Sequence, residues 1–159
     1  MNKSLKSALF IVGLLLIIAA AYLVYKNFHK TSAQPLPPAD NGNEQAKIDL
    51  IRIQTPRPNE VVQSPLTITG QARGTWFFEG SFPVVLTDWD GLIIAQGTAT
   101  AKGDWMTTEF VPFTATLIFT VDKDVYSNKG TLILRKDNPS GLPQNDDALE
   151  IPVVFVTNK

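Results

Sequence analysis

The feature that most constrains this chain is a run of eighteen residues without a charge, from Ala8 to Tyr25. A helix rises about 1.5 Å per residue, so such a run is about 27 Å long, close to the roughly 30 Å hydrocarbon core of a bilayer. The run is apolar on every face, whereas a helix packed on a globular domain keeps a polar face. The sequence therefore predicts a transmembrane helix in residues 1–27 that anchors the chain in the cytoplasmic membrane.

A cleaved secretory signal peptide is the alternative interpretation of the same run. Signal peptides have an apolar core of about 7 to 15 residues and a small-residue cleavage site, which Ala19 to Ala21 resembles. Four more apolar residues follow, Tyr22 to Tyr25, and cleavage would leave them as an exposed terminus. We therefore favour the retained anchor. The chain has no cysteine, which excludes bacterial lipid attachment to a cysteine, disulfides, thiol nucleophiles and cysteine metal sites.

Basic residues flank the run on both sides, so the positive-inside rule gives a nearly balanced count. Lys3 and Lys6 precede the run, and Lys26 and Lys30 follow it. We favour the short basic terminus inside the cell, which places the rest of the chain outside the bacterial cytoplasmic membrane. Residues 28–47 are rich in proline and small polar residues, and this composition predicts a flexible, Pro-rich linker.

The remaining residues, 48–159, carry the apolar pattern of strands. Apolar and polar residues alternate from Val111 to Val121, and turn signals such as Asp90-Gly91 separate the apolar segments. The pattern predicts seven or eight short strands and no helix, which favours an all-β antiparallel β-sandwich, with a small closed barrel as the alternative. Other predicted strands are 50–54, 66–70, 76–79, 84–89, 92–96, 131–135 and 151–156.

Several short motifs carry a family resemblance. They are Pro56-Arg57-Pro58-Asn59, Ser64-Pro65-Leu66, Gly70-Gln71-Ala72-Arg73-Gly74, Asp90-Gly91, Asn138-Pro139-Ser140-Gly141 and Ile151-Pro152-Val153. As a set, they resemble the immunoglobulin-like domain of bacterial spore-germination proteins, the Gmad2 family. The resemblance covers residues 48–155. It implies an immunoglobulin-like β-sandwich that serves as a noncatalytic module on secreted or membrane-anchored proteins, and it brings no catalytic residue or cofactor.

The sequence contains no residue pattern that favours an enzyme. The single histidine, His29, lies in the predicted linker, so the domain cannot hold a Ser-His-Asp triad or a histidine metal site. No glycine-rich phosphate loop is present. Glu79 and Glu109 are the candidates for a glycosidase carboxylate pair, but we interpret them as solvated strand residues, with Glu79 paired to Arg73. We predict no enzyme activity, no catalytic residue and no cofactor.

Two further ligand classes are disfavoured by charge and spacing. Residues 48–159 hold nine basic and thirteen acidic residues, whereas nucleic acid binding needs a clustered basic face. Two loops offer the oxygen ligands that calcium prefers, but neither has the spacing of a calcium loop, so we predict no metal site. Their residues are Asp88, Asp90 and Asp104 in one group, and Asp137, Asn138, Asp146 and Asp147 in the other.

The candidate binding surface is aromatic and consists of Trp76, Phe77, Trp105 and Met106. Side chains of an extended segment alternate sides, so Trp76 and Phe77 would face opposite ways and both faces cannot easily be core. Filling of the sandwich core is the competing interpretation.

We predict a binding or interaction module with an envelope protein as partner. A structural spacer or assembly subunit of an envelope complex, and a carbohydrate or peptidoglycan binder using exposed rings, are the alternatives. Exposure of Phe77 and Trp105 together would favour binding, and burial of both would favour the spacer.

Overall fold

A computed structural model of the chain describes residues 3–28, 39–122, 124 and 126–156. The chain forms two compact units, Met1–Pro38 and Ala39–Lys159. In the first unit, helix α1 (Lys3–Phe28) contains the whole uncharged run. Among the described residues, no helix meets the length and hydropathy that crossing a membrane requires. The anchor in residues 1–27 stays a prediction, and His29 with the linker residues up to 38 lies outside the described residues.

The second unit consists of one short helix and eight strands. Helix α2 is Glu44–Lys47. Two single-turn 3-10 helices, Gly74–Trp76 and Pro143–Asn145, lie between strands. The strands are β1 (Ile51–Thr55), β2 (Val61–Val62), β3 (Leu66–Arg73), β4 (Ser81–Thr87), β5 (Ile93–Ala101), β6 (Phe110–Leu117), β7 (Lys129–Arg135) and β8 (Ala148–Phe155).

The strands follow the order β1-β3-β6-β5-β4-β7-β8-β2, and every pair is antiparallel except β2 with β8. Strand β5 pairs with β4 along its length but with β6 only at Thr100 and Ala101. The sheet therefore bends at β5 into two layers, β1-β3-β6 and β5-β4-β7-β8-β2. The end strands β1 and β2 do not pair with each other within the described residues, so the sheet is not a closed barrel. The prediction of an all-β sandwich with mostly antiparallel strands is confirmed.

The core lies between the two layers and is built from alternate residues of each strand. In β6, Val111, Phe113, Ala115 and Leu117 are buried, as the alternation predicts. Phe113 meets Phe82 of β4 edge to face, with 4.9 Å between ring centroids. Such aromatic pairs contribute stability beyond the area they bury. The predicted strand stops at Leu117 rather than Val121.

The predicted hairpin at Asp90-Gly91 joins β4 to β5. Asp88 N–H donates to the Leu92 carbonyl at 2.9 Å, and Gly91 N–H donates to the Asp88 carbonyl at 3.3 Å. Among the described residues of this loop, Gly91 alone has a positive φ, at 88°. The loop is therefore a three-residue turn that ends in a left-handed glycine, not the two-residue turn in which both central residues have positive φ.

The prediction of a strand at residues 76–79 is wrong. Gly74–Trp76 is a 3-10 helix, and the chain then turns back at Glu79 and Gly80, whose φ angles are 50° and 74°. Gly74 packs directly on the 105–107 loop, where a Cβ atom would overlap the carbonyl oxygens of Trp105 and Thr107. A close approach to a distant loop leaves no periodic signal in the local sequence, so the apolar residues alone suggested a strand.

The second unit begins nine residues before the predicted domain start at Ile48. The Asn43 side chain donates to the Ala148 carbonyl at 3.0 Å and accepts from the Glu150 N–H at 2.8 Å. Lys47 forms an ion pair with Asp147. These contacts place α2 against β8, so residues 39–47 belong to the folded unit and not to a linker.

Candidate interaction surfaces

Two residues of the predicted binding surface, Trp76 and Phe77, are buried. Their exposed fractions are 1% and 4%, and Phe77 packs on Phe82 with ring centroids 5.3 Å apart. The 3-10 helix that ends at Trp76, with Phe77 directly after it, leaves both side chains buried, whereas a continuous extended strand would have sent them to opposite faces. Both are therefore core residues, which corrects their assignment to a binding surface.

The other two predicted residues, Trp105 and Met106, reach the surface. Met106 is 77% exposed, and Trp105 is half-buried because its ring lies over Gly80, where a Cβ atom would come within 3.2 Å of Cδ1. Exposure of both Phe77 and Trp105 is expected for a binding module, and burial of both for a structural spacer. Phe77 is buried and Trp105 is only half-buried, so these two residues do not decide between the two functions.

A second aromatic and aliphatic surface, which we call the hairpin patch, was missed by the sequence reasoning. It consists of Trp89, Leu92 and Ile93 on the β4–β5 hairpin and Tyr126 on the β6–β7 loop. Their exposed fractions are 46%, 64%, 50% and 89%. The rings of Trp89 and Tyr126 lie 5.3 Å apart at an angle of 49°. They are distant in the sequence, so only the folded chain reveals that they meet.

Carboxylates lie close in the sequence to the two rings of the hairpin patch. Asp88 and Asp90 flank Trp89, and Asp122 and Asp124 precede Tyr126. A side-chain hydrogen bond with Asp88 raises the pKa of Asp90, because it favours the protonated acid, and charge repulsion from Asp88 acts in the same direction.

Within the described residues, no three acidic or histidine side chains are grouped so that they could hold a metal ion.

An open strand edge adjoins the hairpin patch. Ile93, Ala95 and Gln96 pair with β4 on one side, while no described strand pairs with them on the other. The edge is covered from Gly97 onward, where a Cβ atom would lie 2.9 Å from Cδ2 of Leu117 in β6. The backbone N–H and C=O groups of an unpaired edge can accept an additional strand. The patch and this edge together offer both apolar and backbone contacts.

The predicted pairing of Arg73 is different in the structure. Arg73 lies 3.8 Å from the Glu109 carboxylate, not opposite Glu79. Its guanidinium also covers one side of the Phe110 ring, 4.0 Å from the centroid, while Arg52 lies 4.1 Å from the same centroid. These contacts belong to the outer face of the β1-β3-β6 layer.

Comparison with known protein families matches residues 50–141 to the immunoglobulin-like domain of bacterial spore germination, Gmad2. The matched region runs from β1 through β7 and includes the hairpin patch. No curated protein and no solved structure matches the chain.

Proposed function

Since this chain belongs to the Gmad2 family of immunoglobulin-like domains, we propose that it is an interaction module that binds a protein partner through the hairpin patch. Domains of this family are typically noncatalytic. The observation that carries the proposal is the exposure of Trp89, Leu92, Ile93 and Tyr126 beside an open strand edge.

The composition of the patch defines the kind of partner that fits. Exposed apolar residues that cluster mark interaction sites more often than scattered ones do. The free edge of β5 fits an extended segment that adds a strand to the sheet. The exposed aspartates on the loops that carry Trp89 and Tyr126 fit lysine or arginine residues on that segment. The proposed partner is therefore a protein with an exposed, extended segment that is both apolar and basic.

We place the module at the bacterial cytoplasmic membrane, on its outer side. The support is in the sequence, because residues 8–25 carry no charge and are long enough for a span. A partner in the cell envelope follows from that location.

Site-specific photocrosslinking in intact bacterial cells tests the proposal. A photoreactive phenylalanine analogue replaces Tyr126 or Leu92 in the full chain, and Val61, which is 62% exposed on the end strand β2, serves as the matched apolar control. We expect a defined protein adduct from positions 92 and 126 and none from 61. The same adduct from position 61, or an adduct from Met106 alone, would contradict the assignment of the patch.

Carbohydrate binding is the second candidate, and one observation favours it. The rings of Trp89 and Tyr126 are exposed beside Asp88 and Asp90, and exposed rings next to polar groups can stack on sugars. Recovery of glycan without protein from the crosslinked cells would support this candidate against the first. Absence of any adduct at positions 92 and 126 would favour the spacer.

A further inference from the structure

An open groove of about 500 Å³ lies on the outer face of the β1-β3-β6 layer, and its lining includes no residue of the hairpin patch. Strands β1 and β3 form most of its walls, and Pro112 of β6 completes it. The residues that line it are Arg52, Ile53, Gln54, Arg57, Gly70, Gln71 and Pro112.

A β-bulge in β1 places a side chain at this groove. Ile53 pairs with Gly70 and Thr55 pairs with Thr69, so Gln54 has no residue opposite it on β3. A bulge bends its strand and redirects the extra side chain. Gln54 therefore lines the groove beside Gln71, which pairs with Arg52 on the same outer face.

Arg52 supplies the positive charge of the groove. Its Nε donates to the Ile48 carbonyl at 2.8 Å, and its guanidinium lies 4.1 Å from the centroid of the Phe110 ring. Both contacts hold the side chain in place without neutralising it. In the described part of the chain, no carboxylate forms an ion pair with Arg52.

Arg57, unlike Arg52, is paired with a carboxylate of the same chain. Its two terminal nitrogens donate to the two oxygens of Glu44 at 2.7 and 2.9 Å, and one of them also donates to the Ile53 carbonyl. The Glu44 carboxylate therefore neutralises Arg57, which leaves Arg52 as the charge available to a ligand. Gln54 and Gln71 add amides that both donate and accept hydrogen bonds.

From this arrangement we propose that the groove binds a hydroxylated ligand carrying one oxyanion, either the carboxylate of a sugar acid or the phosphate of a sugar phosphate. Arg52 pairs with the oxyanion, because guanidinium groups match carboxylate and phosphate geometry. The amides of Gln54 and Gln71 bond the hydroxyl groups. This site is separate from the hairpin patch and does not depend on the protein partner proposed there.

NMR titration of the full chain in detergent micelles tests the site with three probes. Glucuronate and glucose 6-phosphate carry the two oxyanions, and neutral glucose is the control ligand. We expect shifts at the side-chain amides of Gln54 and Gln71 and at Arg52 Nε with one or both charged probes, and none with glucose. The two charged probes distinguish a carboxylate ligand from a phosphate ligand.

Substitutions test whether Arg52 supplies the positive charge that binds the oxyanion. We expect Arg52→Gln to weaken binding about tenfold or more, as loss of a charge-assisted contact does, while Arg135→Gln, on an exposed arginine of β7, leaves it unchanged. Gln54→Ala provides a second variant that keeps the contact of Arg52 with Phe110. Equal shifts with glucose, no shifts with either charged probe, or unchanged binding in both groove variants would overturn the proposal.

Discussion

At the scale of single residues, Trp76 has a buried polar atom that no described residue satisfies. The side chain is 1% exposed, and its Nε1 has no hydrogen-bond partner among the residues that the structure describes. An unpaired buried donor costs free energy, while the ring around it contributes packing. The two effects of this one residue can be separated by substitution.

We expect Trp76→Phe to change the free energy of unfolding by less than about 1.5 kcal/mol, because it removes the unpaired N–H together with only part of the ring. Trp76→Ala also removes the packing and should cost about 3–5 kcal/mol. Urea unfolding of the full chain in micelles measures both. Equal losses in the two variants would mean that the indole N–H is needed, for example through a bonded water.

The aspartates of the hairpin patch give a prediction about pH. The pKa of Asp90 is raised by its hydrogen bond with Asp88, so the folded chain favours the protonated acid. The contribution of Asp90 to stability is therefore present below its unfolded pKa and is lost as the pH rises through the raised folded pKa. We expect Asp88→Asn to lower the pKa of Asp90 toward its ordinary value.

A carbon-detected NMR titration of the Asp90 carboxyl group measures this change. Asp104→Asn is the matched control, since Asp104 accepts a hydrogen bond from the Met106 N–H in a different loop. The control should leave the pKa of Asp90 as it is. An unchanged pKa in the Asp88 variant would show that Asp88 does not cause the shift.

At the scale of elements, strand contacts leave no room for a side chain at Gly130. A Cβ atom there would lie 2.4 Å from the Thr87 carbonyl oxygen and 2.5 Å from the Phe155 ring. Asn128-Lys129-Gly130 has the composition of a turn, whereas β7 begins at Lys129. Gly130 is needed for close packing between strands. In the sequence, such a glycine cannot be distinguished from one that forms a turn.

We expect Gly130→Ala to destabilise the domain by about 1–3 kcal/mol, because the Thr87 carbonyl belongs to backbone that cannot easily move away. Gly103→Ala is the matched control, since nothing lies within 4 Å of the added Cβ and the φ angle is not positive. It should be neutral or stabilising by up to about 1 kcal/mol through the unfolded state. Thermal unfolding of both variants checks the difference, and equal stability would contradict the strand contact.

At the scale of the whole molecule, strands and turns could be predicted from local sequence patterns, whereas contacts between distant residues could not. Alternation in residues 111–117 and the Asp90-Gly91 turn correctly indicated strands and a hairpin. The burial of Trp76, the meeting of Trp89 with Tyr126, and the attachment of Asn43 to β8 depend on residues far apart in the chain. Local composition carries no information about such contacts, which is why the hairpin patch was not predicted.

The uncharged run of residues 8–25 predicts that the full chain is held in the membrane. We expect the chain to remain with bacterial membranes after alkaline carbonate washing, and protease added to spheroplasts to reach the β-sandwich. Replacing both Leu16 and Ile17 with arginine should release much of the chain, because each charge at the centre of a span costs about 2.5–3.5 kcal/mol. Ile118→Arg, on an exposed residue of the sandwich, is the control and should remain bound. A shortened chain in the wash would instead indicate a cleaved signal peptide, and a sandwich protected from protease would contradict display outside the cell, because only a domain on the outer side meets the added enzyme.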